Sequence, residues 1–227
     1  VAAEAAGRHA GVYRIHFAGE PCGEERWTLA RTAAGEIATG EQQMRAPFPF
    51  PSTLRWRATV DPRGHVTSVD VDWRVGERRV LARHVAQGRR WTVRVENDGQ
   101  VRRQEGDYPA ESVVVLGSHV FHSFVFRRLV LEPGADHVVL ALTIGPPWMA
   151  VEPSRLHIAC TDEGTVETPL GPYEARRIDV HDEQRGPADA FTAWIDAGDR
   201  VLLSREGPGD ERPWMTLVEY ERGDAGA

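Results

Sequence analysis

Apolar and polar positions alternate with a period of two along much of the chain. Between Thr53 and Asp61, Leu54, Trp56, Ala58 and Val60 alternate with Arg55, Arg57 and Thr59. Between Thr67 and Val75, Val69, Val71, Trp73 and Val75 alternate with Ser68, Asp70, Asp72 and Arg74. Trp91, Val93 and Val95 repeat the pattern against Thr92, Arg94 and Glu96. Successive strand side chains point to opposite faces, so the pattern predicts antiparallel strands with one buried and one wet face.

The turns agree. Asp61-Pro62-Arg63-Gly64 and Asn97-Asp98-Gly99 carry hairpin chemistry, because Gly and Asn accept positive φ. Gly19 to Gly23, Ala33 to Gly35 and Ala197-Gly198 separate further strand pairs. Roughly a dozen strands joined by short links read as a meander. An open sheet of that size has to curl. The predicted fold class is therefore all-β with one short helix. Its strongly curved antiparallel sheet forms a half-barrel or barrel around an apolar cavity. One domain spans 1–227, with an ordered core over about 8–222 and a frayed tail from Gly223.

One segment lacks clean alternation. Ser112 to Leu129 places Leu116, Val120 and Phe124 at helical spacing, with His119, Ser123 and Arg127 beside them. Its β-branched content argues against a long helix. A short helix near 115–128 is expected, packed on the sheet or plugging it. The apolar runs Val113–Leu116 and Val138–Leu142 suit buried strands or a short helix, and both fall short of the roughly 18 residues of a membrane span. Pro47-Phe48-Pro49-Phe50-Pro51 cannot be a central strand, since Pro removes ladder donors. Gly145-Pro146-Pro147-Trp148-Met149 is a second Pro-broken loop bearing large apolar side chains.

Charge narrows the partners. All 27 basic side chains other than His are Arg, and the net charge is −7. An acidic chain whose Arg residues are scattered over the strands is a poor nucleic-acid binder, because phosphate contacts need a concentrated positive surface. Asp70 and Asp72 share one strand face and are read as cross-strand partners of Arg55, Arg57 and Arg74 rather than a catalytic pair. Cys22 and Cys160 stand far apart; one long-range disulfide and two buried free thiols both remain open. Val1 to Gly7 lack the charged and apolar regions of a signal peptide. The reading leans to the cytoplasm, with an exported mature form as the alternative, and leaves oligomeric state open.

Reactive signatures are sparse. There is no Gly-rich phosphate loop, nucleophile elbow or paired-Cys metal spacing. His119 and His122 stand at i, i+3, and with Glu111 they are a conceivable metal set; the plainer reading is one surface and one interior histidine. No metal and no cofactor is expected. The candidates for catalysis are His122, Arg127 and Tyr173, of which His122 has an ordinary pKa suited to general acid–base work. His181-Asp182-Glu183 reads as a solvated turn.

The aromatics say more. Most tryptophans sit on apolar strand faces, where core packing is the plain reading. The concave side of a single curved sheet, however, can also line a cavity. The candidate ligand-binding residues are Trp56, Trp73 and Phe124 on the apolar faces, with Phe48, Phe50, Trp148 and Met149 on the Pro-rich loops at a lip.

Three stretches, Tyr13 to Trp27, Thr168 to Ile178 and Ala193 to Leu202, resemble bacterial domains related to the Lol-type lipoprotein carriers. The middle, with His122 to Leu129, is similar to a glycolipid-binding family. The resemblance implies a curved antiparallel sheet closed by a short helix around an apolar cleft, and transfers no catalytic residue. The expected function is binding of a lipophilic small molecule (a lipid, glycolipid or polyketide- or terpenoid-like metabolite). The alternative is a cofactor-free cyclase or isomerase that uses the same cavity to preorganise its substrate.

Overall fold

In the computed structural model, which describes residues 7–207 and 213–223, a single 15-stranded sheet carries the chain. The strands are β1 (Arg8–Phe17), β2 (Glu20–Thr32), β3 (Gly35–Met44), β4 (Ser52–Val60), β5 (Val66–Val75), β6 (Arg78–Gln87), β7 (Arg90–Asn97) and β8 (Gln100–Asp107). Then follow β9 (Val113–Leu116), helix α1 (Val120–Arg127), β10 (Asp136–Gly145), β11 (Ala150–Thr168), β12 (Gly171–Asp182), β13 (Phe191–Asp196), β14 (Leu202–Glu206) and β15 (Met215–Arg222). Spatial order runs from β8 back to β1, then from β15 back to β9. Two meanders thus meet where the first and last strands pair. The residues 224–227 of the expected frayed tail lie outside the described residues.

The meander is as the alternation predicts, with more strands than the dozen expected. The additional ones escape a periodicity reading. β8 is almost wholly polar along its length, and β9 has four residues. β9 also corrects the helix. Val115 and Leu116 belong to this strand, which pairs parallel with β10, and α1 starts only at Val120. The β-branched run Val113-Val114-Val115 favours extended backbone.

The helix fills the concave side. Seven of its eight residues, Val120 to Phe126, are buried. Phe121 meets Trp56 edge to face at 5.1 Å and Phe124 at 5.4 Å. Space for the indoles comes from glycines on neighbouring strands. A methyl group on Gly40 would lie 2.5 Å from Trp56, and one on Gly11 2.6 Å from Trp27. Around Trp56 the concave side is therefore packed core, not open cleft.

Strands β8 and β9 are the sheet edges, and no ladder joins them. Side chains instead tie the β8 end of the sheet to the start of β11 and the loop before it. The Gln104 amide of β8 donates to the Val151 carbonyl at 3.0 Å and accepts from the Val151 N–H at 3.2 Å. It thereby imitates one rung of a ladder. Arg78 donates to the Pro147 carbonyl at 3.2 Å, and the Arg102 guanidinium stacks on Trp148 at 3.9 Å.

Asp72 and Asp70 pair with arginines as expected, but Asp72 takes Arg79 and Arg74, and Asp70 takes Arg83. Arg55 turns to Glu41. Cys22 and Cys160 are buried free thiols, which removes the disulfide alternative. No helix among the described residues is long and apolar enough to cross a membrane.

Candidate functional site

Successive turns of a meander alternate between the two ends of the sheet. One end carries the β1–β2, β3–β4, β10–β11 and β12–β13 connections. Here Phe48 packs edge to face on Phe17 at 5.7 Å and on Phe50 at 6.4 Å. Phe50 is 66% and Phe17 42% exposed, so this rim shows aromatic surface to solvent. The opposite end is charged. A groove of about 510 Å³ there is lined by His9, Arg31, Glu36, Asp61, Arg127 and Arg200, among others.

Helix α1 runs between the two ends and is held at both. At its start, buried Glu25 of β2 accepts from the Ser118 hydroxyl and, at 3.0 Å, from the His119 N–H. Gln42 donates to the Gly117 carbonyl at 3.1 Å. A carboxylate suits the positive end of the helix dipole, but burial pushes the Glu25 carboxyl up to about 7. At its end, Arg200 donates to the carbonyls of Phe126 (3.0 Å), Arg127 (3.3 Å) and Leu129. These are the carbonyls a helix C-terminus leaves unpaired.

At the aromatic end, α1 and the surrounding strands leave a cavity of about 220 Å³. Its apolar wall includes Leu116 of β9, Ile144 of β10, Leu156 of β11, Val180 of β12 and Phe191 of β13. Its polar groups are His122 of α1, Thr143, Asp182, Arg185, Asp189 and Arg205 of β14. Phe191 lies between two of these. The His122 ring meets it edge to face at 5.0 Å, and the Arg205 guanidinium stacks on it at 3.8 Å.

Electrostatics separate these polar groups. Arg185 stands 3.9 Å from Asp182 and 3.6 Å from Asp189. Among the described residues Arg205 forms no ion pair, and its Nε is buried without a hydrogen-bond partner. Burial lowers its pKa to about 10, so it stays charged at neutral pH. His122 is held well below its ordinary value by burial and by the nearby Arg205 charge, so its ring is neutral. Its Nδ1 is buried and also lacks a partner. A small cavity that joins an apolar wall to convergent polar groups, with His122 and Arg205 shifted in pKa, has the general form of a ligand site.

The structure does not gather the sequence candidates. Of the three catalytic candidates only His122 lines the cavity. Arg127 pairs with Glu36 at 3.2 Å at the charged end, and Tyr173 sits on β12 opposite Val166, near the far tip of the β11–β12 arm. None of the seven ligand-binding candidates is in the cavity wall. Trp56 and Phe124 are core, Trp73 is half-buried against it, and Phe48 and Phe50 form the rim. Trp148 sits on the β10–β11 loop under Arg102, with Met149 buried beside it. The His119–His122 pair is split: His119 meets Tyr13 edge to face at 6.0 Å, while His122 faces Phe191. Among the described residues no group of three His, Cys, Asp or Glu could hold a metal ion. His181-Asp182-Glu183 is not wholly solvated, since Asp182 is buried in the cavity wall.

Sequence reasoning missed Arg205 and Phe191. The signal for Phe191 was present, because Phe191, Ala193 and Ile195 alternate with Thr192 and Trp194. Arg205 had none. The β13–β14 register shifts between Trp194 and Ile195, which resets inward and outward positions along β14.

No protein-family model matches the chain, and no curated protein matches it. Two solved structures share its fold. The structure of a DUF1089 family protein from Pseudomonas aeruginosa is 17% identical, with a TM-score of 0.53 over 82% of this chain and 89% of that one. A β-barrel-like protein of domain of unknown function DUF1849 from Brucella abortus is 8% identical, with a TM-score of 0.61 over 98% of this chain and 100% of that one. At these identities the likeness is one of fold alone.

Proposed function

We propose that the protein binds a lipophilic small molecule whose apolar part lies in the cavity at the aromatic end of the sheet. The observation that carries this reading is the cavity wall. Leu116, Ile144, Leu156, Val180 and Phe191 offer a choice of apolar contacts, beside which the polar groups can anchor a ligand. The exposed aromatic rim of Phe17, Phe48 and Phe50 is at the same end and suits the entry of an apolar molecule. The resemblance of the Tyr13–Trp27 and Ala193–Leu202 stretches to lipid-carrier domains agrees with this use. The cyclase alternative keeps one group, His122, and loses its proposed companions Arg127 and Tyr173 to other parts of the fold.

Titration with the neutral fluorophore N-phenyl-1-naphthylamine tests the reading. Saturable binding is expected, weakened about tenfold or more in Leu156→Trp, which fills the cavity and removes its contact area. An unchanged circular dichroism spectrum would show that the variant still folds. No saturable binding to the wild type, or equal binding to the variant, would contradict the reading.

A further inference from the structure

Arg205 is an unusual side chain for the wall of an apolar cavity. Many arginines elsewhere in the protein reach carboxylates or carbonyls, as Arg79 reaches Asp72 and Arg200 reaches the helix end. The partners of Arg205 among the described residues are ring faces only, Phe191 at 3.8 Å and Trp214 at 5.4 Å. Stacking holds the guanidinium plane in place while leaving its N–H donors uncommitted. Asp189 attracts that charge from beyond ion-pair distance, but the close contacts of Asp182 and Asp189 are with Arg185.

We propose that the ligand of this cavity carries a carboxylate, paired with the Arg205 guanidinium, and lays its apolar chain along Leu156, Ile144 and Leu116. The inference rests on the lipophilic-ligand reading above and names the class of ligand. A planar guanidinium matches a carboxylate through parallel hydrogen bonds, and a desolvated charge gains most from such a partner. The surroundings favour a single negative charge over two. One guanidinium has no carboxylate at ion-pair distance, and the neighbouring Asp182 and Asp189 would repel the second charge of a phosphate monoester. Neutral His122, on the other edge of Phe191, can add one hydrogen bond without adding charge.

The test compares octanoate with 1-octanol, which share a chain and differ in the head group, by isothermal titration calorimetry at pH 7.5. The wild type is expected to bind octanoate about 10- to 100-fold more tightly than octanol, the worth of a charge-assisted hydrogen bond. In Arg205→Gln the preference is expected to vanish while octanol binding persists. Arg205→Lys, which keeps the charge without the planar fork, is expected to recover part of it. Arg83→Gln, a surface control, is expected to keep the full preference. Equal binding of the two probes by the wild type, or a preference that survives Arg205→Gln, would overturn the inference and leave the lipophilic reading standing. Binding of neither probe by the wild type would overturn both. The wild-type comparison does not depend on any variant folding. As a second measurement, the carboxyl of bound ¹³C-octanoate is expected to titrate at lower pH than free octanoate; an equal or higher midpoint would also overturn the inference.

Discussion

Arg205 at the aromatic end of the sheet is used differently from the arginines of the charged end. At the charged end, Arg31 and Arg127 both reach Glu36, Arg222 meets Asp199, and Arg200 ties down the last carbonyls of α1. At the aromatic end Arg205 stacks on rings and, among the described residues, meets no carboxylate. The first pattern is that of structure: donors matched to acceptors left over by the fold. The second leaves a desolvated charge without a carboxylate in contact, which costs stability. Such a cost points to a partner outside the chain.

Both ends rely on the helix between them, so removing its packing should have the largest effect. Phe121→Ala, at a fully buried aromatic against Trp56, is expected to cost about 3–5 kcal/mol in urea unfolding. A loss below about 1 kcal/mol would mean that α1 is not the core of the concave side.

Next, two arginine variants set the ends against each other. Arg200→Gln leaves the Arg127 and Leu129 carbonyls without donors and is expected to cost about 2–3 kcal/mol. Arg205→Gln removes an unpaired charge and is expected to leave stability unchanged or raise it by up to about 1 kcal/mol. Equal losses from the two would erase the distinction between the ends.

The pH dependence of unfolding sharpens the description of the interior. His84, His119 and His122 are neutral in the fold, with His84 lowered to about 4 and His119 to about 3 by burial. Their contribution is full above the unfolded value near 6.5 and is lost as pH falls towards the folded values. Glu25, raised to about 7, acts with the opposite sign: its contribution is full below 4.5 and is lost as pH rises through about 7. Between pH 5 and 7 the histidines outnumber it, so stability is expected to rise with pH. Glu25→Gln should steepen that rise by about one bound proton. An unchanged slope would mean that Glu25 is ionised in the fold throughout.

A modest effect belongs to the contacts of β6 and β8 with the β10–β11 loop. Trp148→Ala removes the stacking of Arg102 and Arg78 and is expected to cost about 1–2 kcal/mol. Its effect on N-phenyl-1-naphthylamine affinity should be less than threefold, because Trp148 is outside the cavity wall.

Much of the fold was legible in the sequence, and less of the site. Period-two alternation between Leu54 and Val95 reports a burial pattern that each strand repeats locally, and hairpin chemistry joins neighbours. The curled meander therefore follows from short-range signals. The cavity was not legible. It is assembled from residues of seven elements, between Val115 and Arg205, that meet only after the second meander folds over α1. Aromatic size proved a poor guide to its lining. Large rings on a concave face pack best against a helix, as Trp56 does. His122 was found because its chemistry stands out in any context. Arg205 was hidden by a register shift that no local pattern records.

The most direct test of the binding end is a ¹H–¹⁵N NMR titration of the whole protein with 1-octanol. The expected result is saturable shifts at the amides of Leu116, His122, Ile144, Leu156, Val180 and Phe191, with those of Arg31, Glu36 and Arg127 unmoved. Shifts centred on the charged end, or none that saturate, would contradict the assignment of the aromatic end as the binding site.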